Sequence, residues 1–294
     1  MSDQITTAMV KQYEKNVDFL VQQKGSRLRP AVRVETGVVG KHAYYEQIGQ
    51  TDAVLRVGRH TDTPQIDTPH ARRRVTMYDY EWADLIDKPD ELKILIEPQN
   101  KYAMNAKWAM QRGMDARIIA EVFATAYTGE EGGTAVTWAS VQATQRIANG
   151  GTGLTLSKLR SAKEILDDAE VDDEEPRYIA VTPKQVTNLL ETTEATSSDY
   201  NTVKALVQGQ INTFMGFEFI RLARRRLNLV DGSGYRRCFA WAQNGILLAE
   251  AQGIKGRISE RDDKSYSVQV FNSMSIGATR MEEEKIVEIV CVEA

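Results

Sequence analysis

The segment PQNKYAMNAKWAMQRGMDARIIAEVFATAYT, residues 98–128, has the clearest helical pattern in this chain of 294 residues. Its apolar side chains recur every four residues, which is typical of one face of an α-helix; they are Tyr102, Ala106, Met110, Met114, Ile118 and Val122. Pro98 suits the first turn of a helix and Gly129 suits its end. The segment therefore predicts one helix of about 45 Å, interrupted in pattern only by Gly113.

Residues 34–80, before this helix, have a different pattern that predicts a long β-hairpin. Short β-like runs at 54–57 and 74–78 flank a stretch rich in proline and turn-forming residues. A two-stranded ribbon is not stable alone, so we expect a neighbouring subunit to support it. The candidate inter-subunit contacts are the polar residues at its tip and in its return, namely Arg59, His60, Asp62, Asp67, His70, Arg72, Arg73 and Arg74.

The remaining segments alternate between strand and helix patterns, which places the chain in the α+β class. Residues 1–33 suggest a partly helical N-terminal arm with an apolar stripe at Val17, Leu20 and Val21. The predicted helices cover 155–170, with Thr155 as the cap, 183–190, 202–206 and 243–251, and the predicted strands cover 178–181, 216–222, 238–241, 265–280 and 285–292.

Composition and motifs argue against several classes of protein. The net charge is −4, whereas a protein that mainly grips DNA usually carries a basic excess. No apolar run is long enough for a membrane span, and the N-terminal residues predict no secretory signal. Two distant cysteines and three histidines predict neither a disulfide framework nor a zinc site. There is no phosphate-binding loop or nucleophile elbow, so we predict no enzyme and no catalytic, cofactor-binding or metal-binding residue.

Three arginine clusters at 72–74, 224–226 and 236–237 are left to explain. Guanidinium groups bind carboxylates as well as phosphates. In an acidic chain we favour salt bridges between subunits, with nonspecific contact to DNA phosphate as the alternative.

The order of elements resembles the major capsid proteins of tailed bacteriophages with the Hong Kong 97-like fold. The local sequences that carry this resemblance are GRHTDTP at 58–64, RRRVTMYDYEWADLID at 72–87, YIAVTP at 178–183, GQINTFMGFEF at 209–219, WAQNGILLA at 241–249 and SIGATR at 275–280. The resemblance implies five regions: an N-terminal arm at 1–33, an extended loop at 34–80, a peripheral domain at 81–150 with its spine helix at 98–128, an axial domain at 151–255, and returning peripheral strands at 256–294.

The resemblance also implies a function. Hexamers and pentamers of the chain would form an icosahedral shell around double-stranded DNA, assembled in the host bacterial cytoplasm and retained in the virion. A portal, a separate scaffolding protein and a decoration protein are the further partners implied, with no membrane and no cofactor. Gly113 would be the bend of the spine helix during maturation. The shell of an encapsulin-like bacterial compartment uses the same fold and is the alternative.

Overall fold

A computed structural model of the chain describes residues 20–59, 62–86, 98–191 and 212–293. Residues 1–19 of the predicted arm, the loop residue His60 and the predicted helix 202–206 lie outside these ranges. The strands are β1 Arg33–Thr36, β2 His42–Ile48, β3 His70–Thr76, β4 Tyr78–Ile86, β5 Ala126–Thr128, β6 Thr134–Val136, β7 Arg146–Ile147, β8 Arg177–Val181, β9 Thr213–Phe214, β10 Phe217–Arg221, β11 Arg236–Ala242, β12 Ile246–Arg261, β13 Ser267–Arg280 and β14 Ile286–Cys291.

The helices are α1 Pro98–Val122, α2 Gln142–Gln145, α3 Leu156–Asp168 and α4 Pro183–Glu191, and short 3₁₀ turns lie at Arg29–Ala31, Trp138–Ser140, Gln243–Gly245 and Asp262–Lys264. The described chain divides into two compact units. The larger unit contains residues 27–78, 115–251 and 276–293, and the smaller contains residues 20–26, 79–114 and 252–275 as far as they are described. None of the helices in the described ranges is long and apolar enough to cross a membrane.

A six-stranded sheet in the order β7-β14-β11-β8-β10-β9 forms the centre of the larger unit. The central strands are apolar runs that are buried along nearly their whole length, as expected of strands covered on both faces. The side chain of Trp241 is fully buried, and its indole Nε1 donates to the carbonyl of Ala31 at 2.8 Å. The N-terminal segment just before β1 is therefore fixed against this sheet.

Helix α3 begins where the sequence predicts. The Thr155 hydroxyl accepts from the backbone N–H of Lys158 at 3.3 Å, which is the expected N-cap contact. The apolar side of the helix is buried through Leu156, Leu159 and Leu166.

The predicted hairpin is present, but its first strand is not the run at 54–57. Strand β2 pairs with β3 in an antiparallel register that runs from His42 opposite Thr76 to Ile48 opposite His70. Strands β5 and β6 extend this sheet on the β3 side, and Val75 of β3 is fully buried. Residues 42–48 form the strand because β3 pairs with them, whereas Val54, Leu55 and Val57 have no strand partner among the described residues.

The spine helix is shorter than predicted. Helix α1 ends at Val122 and not at Thr128, because residues 126–128 form strand β5 between β3 and β6. The guanidinium of Arg280 donates to the carbonyls of Val122 and Ala124, so it caps the helix at this point. The helix passes through Gly113 without interruption.

The predicted helix at 243–251 is wrong. After the 3₁₀ turn at 243–245 the chain enters β12, and Ile246–Ala249 are fully buried. They pair in parallel with β1, Arg33 lying opposite Leu247. Such a short apolar run suits a buried strand as well as a helix, and the pairing with β1 decides between them.

In the smaller unit, α1 packs on a sheet formed by parts of β12, β13 and β4, in that order. A Cβ added at Gly113 would lie 3.3 Å from the Met274 methyl carbon and 4.0 Å from the ring of Tyr80. These two neighbours show that the helix covers the face of the sheet that carries Met274 and Tyr80.

The predicted five-region division stays a prediction. The pairing of β14 with β11 does, however, bring residues 286–291 into the same sheet as strands from 151–255.

Candidate assembly surfaces

The segment between β2 and β3 is exposed along its described length. The backbone closes across its base, where the N–H of Gly49 donates to the carbonyl of Pro69 at 2.8 Å. The amide of Gln50 also donates to the Glu170 carboxylate at 3.1 Å. Between these residues every described side chain is exposed. We call residues 49–69 the extended loop.

The extended loop and the strand end before it expose several large apolar side chains. The exposed fractions are 73% for Ile48, 58% for Val54, 85% for Leu55, 91% for Val57 and 45% for Ile66. Single exposed apolar residues are ordinary, but a concentration of them within one segment marks an interaction site. Full burial of one such side chain is worth about 1.5–3 kcal/mol, so a partner covering this segment would gain several times that.

The predicted polar contacts of the loop have different surroundings. Arg59, Asp62, Asp67 and His70 are exposed, and none of them makes an ion pair within the described residues. His60 lies outside those residues. The inter-subunit role of all five stays a prediction.

The arginines of β3, by contrast, make contacts inside the chain. Arg72 forms an ion pair with Glu46 at 2.7 Å. The guanidinium of Arg73 is buried, and it donates to the Glu283 carboxylate at 2.8 Å and to the Met281 carbonyl at 3.1 Å. The Arg74 guanidinium lies over the ring of Tyr127, 4.4 Å from its centre. Arg73 thus stabilises the fold of its own subunit, a use that the sequence did not indicate.

Gly132, in the turn between β5 and β6, explains how Arg74 is accommodated. Its φ is +64°, and an added Cβ would lie 2.9 Å from the Arg74 Cβ. Both the backbone conformation and the close approach require glycine here.

Three arginines of the other clusters are likewise paired within the larger unit. Arg236 donates to the Glu293 carboxylate and Arg237 donates to the Glu288 carboxylate, each at 2.6 Å. Glu288 is fully buried and also accepts from the Trp138 indole at 2.6 Å. Arg224 lies 3.4 Å from Glu293. These bonds lie within the chain, and the predicted salt bridges between subunits stay a prediction.

Glu293 shows how such pairing affects a carboxyl group. Burial alone would raise the pKa of Glu293, but hydrogen bonds from Thr182 and Arg236 outweigh burial and hold the pKa below its usual value. The carboxylate is therefore stabilised in its charged form in the folded chain.

Lys158 is a buried cation that was not anticipated from the sequence. Its ammonium nitrogen lies 2.8–3.0 Å from the carbonyl oxygens of Asn149, Thr152, Gly153 and Val290, so its three N–H groups are shared among four acceptors. Burial lowers the pKa of this amine. Since four backbone carbonyls converge on one ammonium group, Lys158 fixes the glycine-rich turn at 149–153 to the end of β14.

Arg280 is another unanticipated buried cation. Its side chain is fully buried, donates to the Val136 carbonyl at 3.1 Å and lies 5.4 Å from the Trp138 ring centre. Burial lowers the pKa of its guanidinium, and the Glu283 carboxylate opposes that shift. A basic residue in a strand pattern gives no sign of burial by itself, because burial depends on elements that are distant in sequence.

The two cysteines are free and buried. A hydrogen bond to Cys291 and burial together raise the pKa of the Cys238 thiol well above its ordinary value. Within the described ranges, no group of three or more histidine, cysteine or acidic side chains could hold a metal ion.

Comparison with known proteins identifies relatives of this architecture. A family model described as "Phage capsid protein" matches residues 5–293. No curated protein matches the sequence. The structure is similar to the capsid of Ralstonia phage GP4 (10% identity, TM-score 0.73, 97% of this chain and 96% of that chain).

Two further solved structures have the same fold. The head structure of Helicobacter pylori bacteriophage KHP40 matches with 10% identity and a TM-score of 0.73, over 99% of this chain and 98% of that chain. The capsid of cyanophage Pam1 matches with 14% identity and a TM-score of 0.70, over 98% and 97%. The predicted Hong Kong 97-like capsid fold is confirmed, and the comparisons do not favour the bacterial-compartment alternative.

Proposed function

Since the chain belongs to the phage capsid protein family, we propose that it assembles as hexamers and pentamers into an icosahedral shell that encloses double-stranded DNA. The chain is a structural protein and not an enzyme. Its self-association forms the capsid shell. The ring sizes, the closed symmetry and the enclosed DNA are the proposal.

The extended loop is the observation that carries this proposal. Five large apolar side chains between Ile48 and Ile66 are exposed, while the base of the loop is held by backbone and polar contacts. A second copy of the chain would cover these side chains and remove their apolar surface from water. Each subunit would then give its loop to one neighbour and receive the loop of another.

Such a contact uses two different surfaces and is therefore heterologous. A heterologous contact closes into a ring when its rotation fits a whole number of subunits. Obligate interfaces of this kind commonly bury about 2,000 Å² or more. Because every subunit makes several contacts at once, the shell is held by their combined strength.

The ion pairs that arginines form within the chain affect how strongly the shell can bind packaged DNA. Arg73, Arg236 and Arg237 are engaged by carboxylates of their own chain, and the net charge is −4. We therefore infer that contact with packaged DNA is weak and nonspecific. A portal, a separate scaffolding protein and a decoration protein complete the proposed partners, with assembly in the host bacterial cytoplasm.

The test compares the unaltered chain with a variant carrying Val54→Asp, Leu55→Asp and Val57→Asp. The control carries Val230→Asp, an exposed apolar side chain far from the loop in sequence. Electron microscopy and sedimentation velocity would follow each protein, co-expressed with the scaffolding protein of its own phage. We expect closed shells or rings from the unaltered chain and the control, and folded subunits without shells from the loop variant.

Shells formed equally well by the loop variant would contradict the role of the loop. Failure of the unaltered chain to form any particle, with its scaffold present, would contradict the proposed function as a whole. Particles purified from the virus host and free of double-stranded DNA would contradict the enclosure of a genome.

A further inference from the structure

The sheet of the smaller unit has two open edges within the described residues. Strand β1 pairs only with residues 247–250 of β12, so no described strand lies beyond residues 252–261 of β12. Strand β4 lies at the opposite end of the sheet and has no described strand on its outer side. Open edges present unpaired backbone N–H and C=O groups, which another strand can use.

The β12 edge is basic. Lys255 and Arg257 are exposed and form no ion pair with the described residues. Gly256 faces the buried Asn272, on the face of the sheet that α1 covers. Because side chains alternate along a strand, Lys255 and Arg257 lie on the opposite face. Arg261, which lies on that opposite face too, donates to the Gln269 side chain at 3.0 Å. We call residues 252–261 the basic edge.

The β4 edge is acidic. Asp79 and Glu81 are exposed and have no ion-pair partner in the described part of the chain. Tyr80, between them, lies on the face covered by α1, since its ring is next to Gly113. The two carboxylates therefore point away from the helix, as Lys255 and Arg257 do. We call residues 79–86 the acidic edge.

These four charges contrast with the charges of the larger unit. There Arg73, Arg236 and Arg237 each have a carboxylate within 2.8 Å. In the smaller unit, two cations and two anions lie at opposite edges of one sheet and on one face, and none of the four forms an ion pair with a described residue. When two identical sheets lie side by side in the same orientation, the basic edge of one meets the acidic edge of the other.

We propose that the basic edge of one copy pairs with the acidic edge of the next, so that the sheets of neighbouring subunits join edge to edge. This inference rests on the proposed self-assembly and adds the surface that specifies it. Lys255 and Arg257 of one copy face Asp79 and Glu81 of its neighbour. The contact is heterologous, and it repeats in one direction around a ring.

A second copy fits these edges better than DNA does. The basic edge alone could approach phosphate, but a matched acidic edge would repel it. Pairing between copies uses both edges and also satisfies the backbone groups that each leaves open. The charges further select direction, because two like edges placed together repel.

Charge exchange tests the proposal on the full chain. One variant carries Lys255→Glu and Arg257→Glu, which makes both edges acidic; a second carries Asp79→Lys and Glu81→Lys, which makes both edges basic. A third variant carries all four changes. The control carries Lys163→Glu and Lys184→Glu, which alter net charge as the first variant does at exposed positions of the larger unit. Circular dichroism would check that each protein is folded.

We expect each two-residue edge variant to need about tenfold or more protein to assemble, because every contact then joins like charges. The four-residue variant restores assembly, and the control assembles as the unaltered chain does. An equal mixture of the two edge variants also assembles, but only into rings with an even number of subunits, since the two proteins must alternate. Sedimentation velocity and electron microscopy would measure these outcomes.

Several results would overturn the edge pairing while leaving the proposed function intact. One is normal assembly of both edge variants; another is failure of the four-residue variant despite a folded chain. A third is a defect of the Lys255→Glu, Arg257→Glu protein in DNA retention alone, which would assign the basic edge to phosphate. If the unaltered chain does not assemble with its scaffold, the proposed function and this inference both fail.

Discussion

The buried core of the larger unit and the extended loop use their side chains in opposite ways. In the core, even fully buried ions such as Glu288 and Arg280 have partners within the chain. In the loop, strongly apolar side chains such as Leu55 and Val57 are exposed at 85% and 91%. The first region is complete in a single subunit, and the second has unburied apolar surface that a neighbour can cover.

This difference separates two kinds of mutation. A change in the core alters the free energy of unfolding of the subunit, because it removes partners that are already present. A change in the loop alters assembly and leaves the subunit's stability nearly unchanged, because the loop contributes little burial within its own chain. The following predictions test that separation, beginning with the largest effect.

Of the substitutions in the core, Arg280→Met should lower the free energy of unfolding the most. It leaves the carbonyls of Val122, Ala124 and Val136 without their donor in a buried site. We expect a loss of about 3–5 kcal/mol in the free energy of unfolding, measured by urea denaturation. Arg225→Met, at an exposed position, is the control and should change it by less than about 0.5 kcal/mol. Equal stability of the two variants would refute the capping role of Arg280.

Glu293→Gln should have a smaller effect that depends on pH. The pKa of Glu293 is lowered from 4.5 in the folded chain, so its contribution is fully present above that value and is lost as the pH falls through the folded pKa. At neutral pH the free energy of unfolding of the variant should be about 2 kcal/mol lower, because the hydrogen bonds that the Glu293 carboxylate accepts from Arg236 and Thr182 are weakened. The urea midpoints of the two proteins should begin to converge as the pH falls below about 4.5, and they should meet below the folded pKa of Glu293. A difference independent of pH would contradict this account.

Thr155→Ala should lower the free energy of unfolding by about 1 kcal/mol, because it removes the N-cap of α3. Thermal denaturation would measure the change, with Thr155→Ser as the control that keeps a hydroxyl. If the alanine and serine variants melt at the same temperature, the cap contributes nothing measurable.

Gly113→Ala should have the smallest effect and the opposite sign. Alanine favours a helix over glycine by up to about 1 kcal/mol, and the nearest atom, 3.3 Å away, is the end of the flexible Met274 side chain. We expect a stabilisation below about 1 kcal/mol and, if Gly113 is the bend of the spine helix, slower maturation of shells. Unchanged maturation would count against the bend.

The sequence predicts the elements whose patterns are local. The apolar row from Tyr102 to Val122 gives α1, Thr155 gives the start of α3, and the runs near 178–181 and 286–291 give buried strands. The family resemblance also follows from sequence, because it depends on the order of such elements. The extended loop is predictable from its prolines and turn-forming residues.

The failures have a common physical cause, which is long-range pairing. The end of α1 depends on Arg280, and the strand at Ile246–Ala249 depends on β1, more than 200 residues away in sequence. The partners of Arg73 and Arg237 are likewise distant, so sequence could not distinguish a surface arginine from an internal ion pair. The open edges of the smaller sheet become visible only when the strand order is known.

Hydrogen–deuterium exchange of the unaltered chain, as dissociated subunits and as assembled shells, tests the central claim most directly. The backbone amides of residues 49–69 should exchange rapidly in the subunit and become protected on assembly, while those of β11 and β14 should be protected equally in both states. Equal exchange of the extended loop in subunits and shells would contradict the claim that a neighbouring copy covers it.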